Sequence, residues 1–414
     1  MKYSALFLGG VLLALSACSD DKSYLPSLNE AADYSGSNLK VYYCGEQMPA
    51  KKVTYTPSEA DKLKGELSCS GITDLSQLSS VGLSGIGSAP GVLPGSPSLT
   101  LPVTLSQKED TYVFSGSGET PFVSSFSYAG KLQADSCVLN LKDVKLADLS
   151  LAGSIWAPAP IKQDGLSFSS LPFRLVWEID PAIGIDLDLS ALLRILATTP
   201  FIPVYNHTAY SSIAQLYNNA LQTVAFNENG NIFVRYYSSV GGATQLVTSV
   251  GNTLQYVVPQ PNTLLLYPNP TTIFGRWLVA QSNPGDDKDI SFASSRADDS
   301  ESPDADKQLL LAFLKGLIPM VLENSENGFP FTVERTDSSL SLYLDTPVVL
   351  ALLGEVVKVL EENPEILNQL LQKVGVSFHD PDIQAQLAEL LPKLKTILLN
   401  TTKVQLGLNF EAYK

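Results

Sequence analysis

The sequence predicts an α+β protein with two antiparallel β-rich halves, the second of which ends in several helices. Three observations predict this class. Short runs in which apolar and polar residues alternate, the pattern of half-buried strands, recur from Tyr34 onward. Helix-start signals concentrate in the C-terminal third of the chain. The chain has 414 residues, which is enough for two or three domains of ordinary size.

Composition and charge limit the functions that the chain can have. Hydrophobic residues make up 44% of the sequence and charged residues 17%, a globular composition that excludes a wholly disordered or coiled-coil chain. The formal net charge is −15. A body with this charge repels phosphate backbones, so we expect no nucleic acid among its partners.

The first 18 residues carry the strongest functional signal. A basic start at Lys2 precedes the apolar stretch Ala5–Leu15, which has the length of a signal-peptide core and is too short to span a bilayer. The tetrapeptide Leu-Ser-Ala-Cys that ends at Cys18 resembles a bacterial lipobox. We therefore predict a lipoprotein signal peptide at residues 1–17 and acyl chains on Cys18, because several chains together hold a protein stably on a membrane.

Residues 18–33 are predicted to be a lipidated, flexible tether. The acidic tetrad Ser19–Lys22 resembles the export signal that sends Bacteroides-type lipoproteins to the outer leaflet of the outer membrane. A solvated tether that keeps the body off the membrane explains the tetrad equally well. The expected location is the outer membrane, with the protein held by its lipid at the cell surface and the choice of leaflet left open.

Lipid attachment at Cys18 would leave three further cysteines, and therefore at most one internal disulfide in an oxidising compartment. These are Cys44, Cys69 and Cys137. Cys44 and Cys69 each follow an alternating pattern, so two neighbouring strands could bring them together. We predict this pair as the candidate disulfide.

Metal and cofactor signatures are scarce. The chain has two histidines, His207 and His379, and no Cys-x-x-Cys, which excludes a His-rich centre and a zinc site of ordinary spacing. Calcium at Asp186 and Asp188, or at Asp286–Asp289, stays open, although a solvated loop is the favoured interpretation. The metal content is therefore left unknown, and no cofactor is predicted.

The first half, residues 34–185, is predicted to be sheet. Alternation is regular at Leu99–Leu105 and most regular at Phe173–Ile179. Between Ser79 and Ser98, glycines alternate with prolines and serines, which leaves too little apolar area to offset the entropy of ordering, so a mobile loop is expected. An apolar run at Leu187–Leu196 predicts a short helix that links the two halves.

The second half, residues 200–414, is predicted to open as sheet. Asn229-Gly230 between two alternating runs predicts a hairpin with a type I′ turn, and a second hairpin is predicted at residues 254–266. Residues 281–303 are expected to form an acidic, disordered insert. The apolar run Leu309–Leu322 that follows is too short to span a bilayer, and we expect it to be buried between sheet and helices.

The C-terminal third is predicted to be rich in helices. Thr346-Pro347 and Asp380-Pro381 each place a capping residue before a proline at the first helical position. Helices are expected at about residues 347–362 and 381–399. A last alternating run, Val404–Phe410, predicts a strand that returns to the sheet.

Catalytic signatures are missing from the sequence. It has no Gly-x-Ser-x-Gly pentad, no Gly-x-x-x-x-Gly-Lys phosphate loop and no Gly-x-Gly-x-x-Gly fingerprint. A pair of carboxylates could serve a glycoside hydrolase, but the sequence does not select a pair among 42 acidic residues. The sequence therefore favours a protein without catalytic activity and leaves enzyme activity open.

Exposed aromatic rings are the candidate ligand contacts, because such rings stack on sugars or lipids. Clusters and alternating runs single out Tyr42, Tyr237, Tyr267 and Trp277. Packing in the core or at a sheet edge explains these rings equally well.

Three features together, the lipobox at Cys18, the opening strand at Tyr34 and the segment Val224–Ile232, resemble a family of uncharacterised Bacteroides-type outer-membrane lipoproteins, a domain of unknown function. The resemblance covers most of the mature chain. It implies lipocalin-like or sandwich-like halves with added helices, and no catalytic residues.

The expected function is therefore that of a surface-anchored lipoprotein of the outer membrane that binds an extracellular glycan or apolar molecule without catalysis. Two alternatives stay open. One is a carboxylate-dependent glycoside hydrolase. The other is a structural or adhesive envelope protein, which would have an outer-membrane protein as its partner.

Overall fold

A computed structural model of the chain describes residues 28–74, 86–164, 167–185, 188–200, 202–204, 209–240, 243–272, 324–362 and 393–414. Within these residues, strands far outnumber helices. The strand pairs are antiparallel, except for the parallel pair of the second and eleventh strands. The predicted α+β class, with β-rich parts and helices towards the C-terminus, is confirmed, and its first part is a sandwich of two sheets.

The first sheet of the sandwich contains β1 (Ala32–Ser35), β4 (Lys51–Pro57), β5 (Lys64–Asp74), β6 (Ile86–Ala89) and β7 (Ser98–Thr104). The second contains β2 (Leu39–Tyr43), β3 (Glu46–Met48), β8 (Ser106–Lys108), β9 (Thr111–Thr120), β10 (Val123–Leu132) and β11 (Cys137–Leu146). The first sheet has the order β1-β4-β5, with β6 and β7 both paired to β5, and the second has the order β3-β2-β11-β10-β9-β8.

Alternation along these strands decides which side chains fill the sandwich, because residues two apart share a face. Fully buried examples from the two sheets are Val41, Val53, Leu67 and Leu139. Two tyrosine hydroxyls link the sheets across the core. Tyr34 donates to the carbonyl of Gln133 at 2.7 Å, and Tyr128 donates to the carbonyl of Pro102 at 2.5 Å.

The second β-rich part is a ten-stranded sheet. Nine strands follow one another in hydrogen-bonding order: β20 (Ala243–Thr248), β19 (Ile232–Val240), β18 (Leu221–Phe226), β12 (Ile155–Pro158), β25 (Thr401–Ala412), β24 (Ser339–Leu344), β23 (Phe329–Arg335), β22 (Thr263–Pro268) and β21 (Leu254–Gln260). The tenth strand, β15 (Phe173–Ile179), pairs with the first part of β25. Two short hairpins stand apart: β13 (Lys162–Asp164) with β14 (Ser167–Ser170), and β16 (Ile202–Val204) with β17 (Ala209–Ser211).

This sheet curls until its ends meet. Asn231, just before β19, forms a β-bridge with Gln255 on β21, and the Tyr256 N–H donates to the Gly230 carbonyl at 2.8 Å. The rings of Phe226 on β18 and Tyr256 on β21 lie 5.1 Å apart, edge to face. We call this sheet the curled sheet, and its inner face is the face that carries Phe226 and Tyr256.

The sandwich and the curled sheet share one hydrophobic core. A backbone bond joins them directly, since the Leu146 N–H at the end of β11 donates to the Glu228 carbonyl at 2.9 Å. The hydroxyl of Tyr43, on β2, donates to the carbonyl of Asn229.

The chain leaves the sandwich after β11, at Leu146, and the next long strand belongs to the curled sheet. The prediction placed residues 34–185 in one half and 200–414 in the other, a division that separates β12 and β15 from their partner β25. Arg174 and Gln405, 231 residues apart in the chain, are hydrogen-bonded neighbours. Alternation in the sequence reveals β15 but carries no information about a partner at this distance.

Helices α1 (Leu189–Thr198), α2 (Ile213–Ala220), α3 (Thr346–Glu362) and α4 (Leu394–Leu399) accompany the curled sheet. Helix α1 begins after Asp188, whose side chain accepts from the Ala191 N–H at 2.9 Å. Helix α3 confirms the helix predicted at 347–362, and α4 is the end of the helix predicted at 381–399. The rest of that helix, the insert at 281–303 and the run at 309–322 lie outside the described residues.

The glycine-rich segment is ordered from residue 86 to 98, contrary to the predicted mobile loop, while residues 75–85 lie outside the described ranges. Val92 and Leu93 are buried in the shared core. A Cβ at Gly91 would lie 1.8 Å from the carbonyl oxygen of Ser96, so glycine permits the close turn here. The segment has few apolar residues of its own, and its contacts with the shared core stabilise it.

The hairpin of β18 and β19 is confirmed, but its turn is not of type I′. Of its two predicted turn residues, Gly230 has a positive φ, +81°, and Asn229 does not. The Gly230 N–H donates to the Asn227 carbonyl at 3.0 Å, and the Asn229 side chain accepts from the Asn231 N–H at 3.0 Å. The asparagine therefore closes a longer loop through its side chain.

Candidate ligand-binding site

The inner face of the curled sheet is lined by apolar side chains from all round the sheet. Its deep layer, next to the sandwich, is fully buried and contains Trp156, Phe226, Ile232, Tyr256, Leu264, Val333, Leu340 and Phe410. The guanidinium of Arg335 lies 5.5 Å from the ring centre of Trp156. This layer is the part of the shared core that the sheet encloses.

A second layer of inner-face side chains, further from the sandwich, is only half-buried. We call it the inner band, and it consists of Phe173, Leu175, Leu266, Phe331, Leu342 and Leu408. Register places them together, because Leu408 pairs with both Phe173 and Leu342 in neighbouring strands. The band is therefore a concave apolar surface that the described residues leave partly uncovered.

Helix α2 borders the inner band. The ring of Tyr217 lies 5.1 Å from the ring of Phe173, and the Asn218 side-chain amide donates to the Ala159 carbonyl at 3.2 Å. The capping box at Ser212 starts the helix at a defined residue. The sequence therefore places these two side chains beside the band.

Two polar atoms of α2 are buried without a hydrogen-bond partner, namely the hydroxyl of Tyr217 and the side-chain oxygen of Asn218. Burial raises the pKa of Tyr217 well above its ordinary value, so the phenol keeps its proton. Buried polar atoms nearly always have a partner, and an exception calls for an explanation.

The outer face of the same strands carries a charged network instead. Arg174 pairs with Glu334 at 2.8 Å and lies 4.1 Å from the ring centre of Tyr343, whose hydroxyl donates to Glu334 at 2.8 Å. Arg174 also donates to the buried side chain of Gln405 at 2.9 Å. Because these charges pair with one another across β15, β23, β24 and β25, we interpret the network as structural.

The three described members of the predicted aromatic set, Tyr42, Tyr237 and Tyr267, lie in different parts of the fold. Tyr42 is half-buried on β2 of the sandwich, whereas Tyr237 is exposed on β19 of the curled sheet. Tyr267 is buried, and a Cβ added at Gly328 would lie 2.7 Å from its ring, so Tyr267 packs in the core as the alternative interpretation held. Trp277 lies outside the described residues, as does the lipidation residue Cys18.

The predicted Cys44–Cys69 disulfide is not formed, because Cys44, Cys69 and Cys137 are all free thiols. Cys44 is exposed in the turn after β2, while Cys69 is buried on β5 of the opposite sheet. Burial raises the pKa of Cys69 and of Cys137 to about 12, which makes both thiols unreactive. The alternating pattern located the strands of both cysteines, but not the sheets to which those strands belong.

In the part of the chain that the structure describes, no group of three or more His, Cys, Asp or Glu side chains could hold a metal ion. Asp188 caps α1 instead. Asp186, Asp286–Asp289 and both histidines fall outside the described residues, so the calcium hypothesis stays untested.

Tyr217 and Asn218 are not among the residues predicted from the sequence, because no helix was predicted at 213–220. A signal was present, since Ser212 followed three residues later by Gln215 is the pattern of a capping box. The inner band had no comparable signal, because its residues look like any other alternating strand residues.

Comparisons with protein-family models, with curated proteins and with solved structures found no match. Among the helices described, none is both long and apolar enough to cross a membrane.

Proposed function

We propose that the protein is a non-enzymatic, lipid-anchored lipoprotein of the outer membrane that binds an apolar small molecule on the inner band of its curled sheet. The half-buried apolar side chains of the band, next to the fully buried layer of the shared core, support this proposal. Ligand sites are typically concave and mainly apolar, with a few polar groups that orient the ligand.

Binding energy on such a surface comes mainly from apolar area that is removed from water, and it must exceed the cost of association. Covering about 200 Å² of apolar area contributes ~5 kcal/mol at about 25 cal/mol per Å². A glycan fits the band less well than an apolar molecule, because sugar hydroxyls in an apolar site lose their hydrogen bonds to water.

The anchor is the part of the proposal that comes from the sequence. Acyl chains on Cys18, followed by the tether at 18–33, would hold the binding body at the cell surface. Intact-mass measurement of protein from its native envelope should find a chain that begins at an acylated Cys18. An unmodified Cys18 with the leader still attached would contradict the anchor.

The binding proposal is tested with N-phenyl-1-naphthylamine, a neutral dye whose fluorescence rises in apolar surroundings. We expect saturable binding to the wild-type protein. Leu342→Phe, which adds volume in the band, should weaken binding at least about fivefold, since each lost ~1 kcal/mol corresponds to about fivefold. The matched control is Leu246→Phe, at an exposed leucine on β20.

Equal dye binding by the wild-type protein and both variants would show that the dye binds elsewhere, and would refute the proposed site. If the chain's own apolar run at 309–322 fills the band, the wild-type protein will bind no dye, and the proposal also fails. Thermal unfolding of each variant checks that the fold is retained.

A further inference from the structure

We propose that the edge strand β20 is a self-association surface, on which a second copy of the same chain pairs its own β20 in antiparallel orientation. The proposal concerns assembly and is separate from the ligand site, because the inner band has no residue on β19 or β20. Three features carry it: an accessible strand edge, a strand without charge and a symmetric pattern of side chains.

The accessible edge belongs to one end of the curled sheet. Within the described part of the chain, β20 pairs with β19 alone. The opposite side of β20 therefore presents backbone N–H and C=O groups that have no strand beside them, and an edge of this kind can bind another strand. Thr244, Gln245 and Leu246 are exposed, which leaves this edge open to solvent.

β20 lacks the features that usually protect an edge from pairing, which are charge, proline and irregular register. Its sequence is Ala-Thr-Gln-Leu-Val-Thr, and its register with β19 is regular throughout. At the other end of the sheet, β21 is covered by the bridge between Gln255 and Asn231. β15 carries the charged residues Arg174 and Glu178. β20 is thus an edge suited to pairing.

The distribution of charge favours a second copy of the chain as the partner. The protein has a formal net charge of −15, so repulsion opposes most contacts between two copies. The neighbouring β19 carries one charge, Arg235, which lies beside Thr248 at the end of β20. Two copies can therefore meet along β20 without a charged side chain facing its own symmetry mate.

The side-chain pattern of β20 is symmetric about Leu246. In an antiparallel pair centred on this residue, Leu246 faces Leu246 of the second copy, and Thr244 faces Thr248 in both directions. These three residues share one face of the strand, because they are two apart. Threonine pairs and apolar pairs across strands are both favourable. The strand therefore complements itself.

Tyr237 extends the apolar contact on this face. It is the register partner of Leu246, and the two side chains are 43% and 42% exposed. Association places Tyr237, Leu246 and their symmetry mates in one row across four adjacent strands, which are about 4.8 Å apart. The row removes apolar area from water when the copies pair. Tyr237, predicted as a ligand contact, thus lies beside the proposed interface.

The first test follows the mass of the full-length protein by sedimentation velocity over a range of concentrations. We expect wild type to form dimers at micromolar concentration. Leu246→Lys should weaken association at least about tenfold, because symmetry places the two lysines opposite each other and removes leucine from both copies. The matched control is Leu63→Lys, at an exposed leucine between β4 and β5, which should leave association unchanged.

The second test determines the register by disulfide crosslinking in a Cys44→Ser background, which lacks the exposed native thiol of the turn after β2. Leu246→Cys should form an intermolecular disulfide, since Cα atoms directly opposite each other lie about 4.5 to 5.5 Å apart. Thr244→Cys is the control, because its symmetry mate lies about 14 Å away along the strand. Non-reducing electrophoresis measures the crosslinked fraction relative to the background protein.

Three outcomes would overturn the inference. Wild-type protein that stays monomeric at all concentrations would do so. Equal association of Leu246→Lys and Leu63→Lys would show that the copies meet on a different surface. Equal crosslinking of Thr244→Cys and Leu246→Cys would exclude the pair centred on Leu246. Thermal unfolding checks that Leu246→Lys is folded, and if it is not, the crosslinking result decides.

Discussion

Lys51 lies on β4 with 3% of its surface exposed, and its ammonium nitrogen donates to the Pro90 carbonyl at 2.5 Å. Burial lowers the pKa of Lys51 from its ordinary 10.5 to about 7. The side chain ties the ordered part of the glycine-rich segment to the sandwich. A positive charge at this position is therefore a cost to the folded state.

The sign of the pH effect follows from this lowered pKa. Between pH 7 and 10.5 the unfolded chain binds more protons than the folded one, so the folded state gains stability as the pH rises. From neutral pH to about pH 9, wild type should gain ~2 kcal/mol relative to Lys51→Met. The free energy of unfolding of both proteins, measured by urea denaturation at both pH values, checks this.

Lys51→Met should also be more stable than wild type at pH 7, because it removes a buried amine that is easily charged. If Lys51→Met were less stable than wild type at pH 7 and had the same pH dependence, the interactions of the ammonium in the fold would offset the cost of burying it.

Gly407 is a second residue whose role depends on its neighbours. It pairs with Arg174 on one side and Tyr343 on the other, and its missing side chain leaves space where Arg174 lies over the tyrosine ring. A Cβ at Gly407 would lie 2.2 Å from the carbonyl oxygen of Leu342.

Gly407→Ala should therefore destabilise the protein by ~2 kcal/mol, the range of overpacking in a dense site. Gly354→Ala is the matched control, since Gly354 lies in α3 with no atom within 4 Å of an added Cβ. That variant should gain about 0.5 to 1 kcal/mol, because alanine favours helix. Thermal unfolding measures the change in stability of each variant relative to wild type. Changes of the same sign in Gly407→Ala and Gly354→Ala would contradict the steric explanation.

At the scale of elements, the capping box of α2 connects local sequence to the binding site. The Ser212 hydroxyl accepts from the Gln215 N–H at 3.1 Å, and the Gln215 side chain accepts from the Ser212 N–H at 2.9 Å. The start of α2 sets the position of Tyr217 beside the inner band.

Ser212→Ala should cost ~1 kcal/mol of stability and should weaken binding of the dye, because α2 then holds Tyr217 less firmly. Asp188→Ala removes the cap of α1 and should lower the stability of the protein by a similar amount. It should change the affinity for the dye little. Equal losses of dye affinity in the two variants would show that α2 has no special part in the site.

At the scale of elements, alternation predicted strands at 173–179, 254–266 and 404–410, and the structure confirms each of them. This success has a local cause, since residues two apart in a strand share a face whatever the strand pairs with. The turn at Asn229 was predicted wrongly because a side-chain hydrogen bond replaced the backbone conformation typical of Asn-Gly.

At the scale of the whole molecule, the shared core predicts that the sandwich and the curled sheet unfold together. The three tryptophans, Trp156, Trp177 and Trp277, all follow the sandwich in the chain, so their fluorescence reports on the second part, while far-ultraviolet circular dichroism reports on both. The thermal transition followed by tryptophan fluorescence should coincide with the transition followed by circular dichroism. Circular dichroism that persists after the fluorescence transition would show that the sandwich is independently stable.

Local sequence was enough to predict strands such as β15 and β25 and the long helix α3, and to expect a lipid anchor, because each depends on neighbouring residues in the chain. The fold was needed to show that β12 and β15 join β25, that the sheet curls onto itself, that Lys51, Val92 and Leu93 are buried, and that Tyr217 borders an apolar surface. Alternation specifies which side chains share a face, but the side of the sheet that becomes the interior depends on partners more than 200 residues away, as Arg174 and Gln405 are.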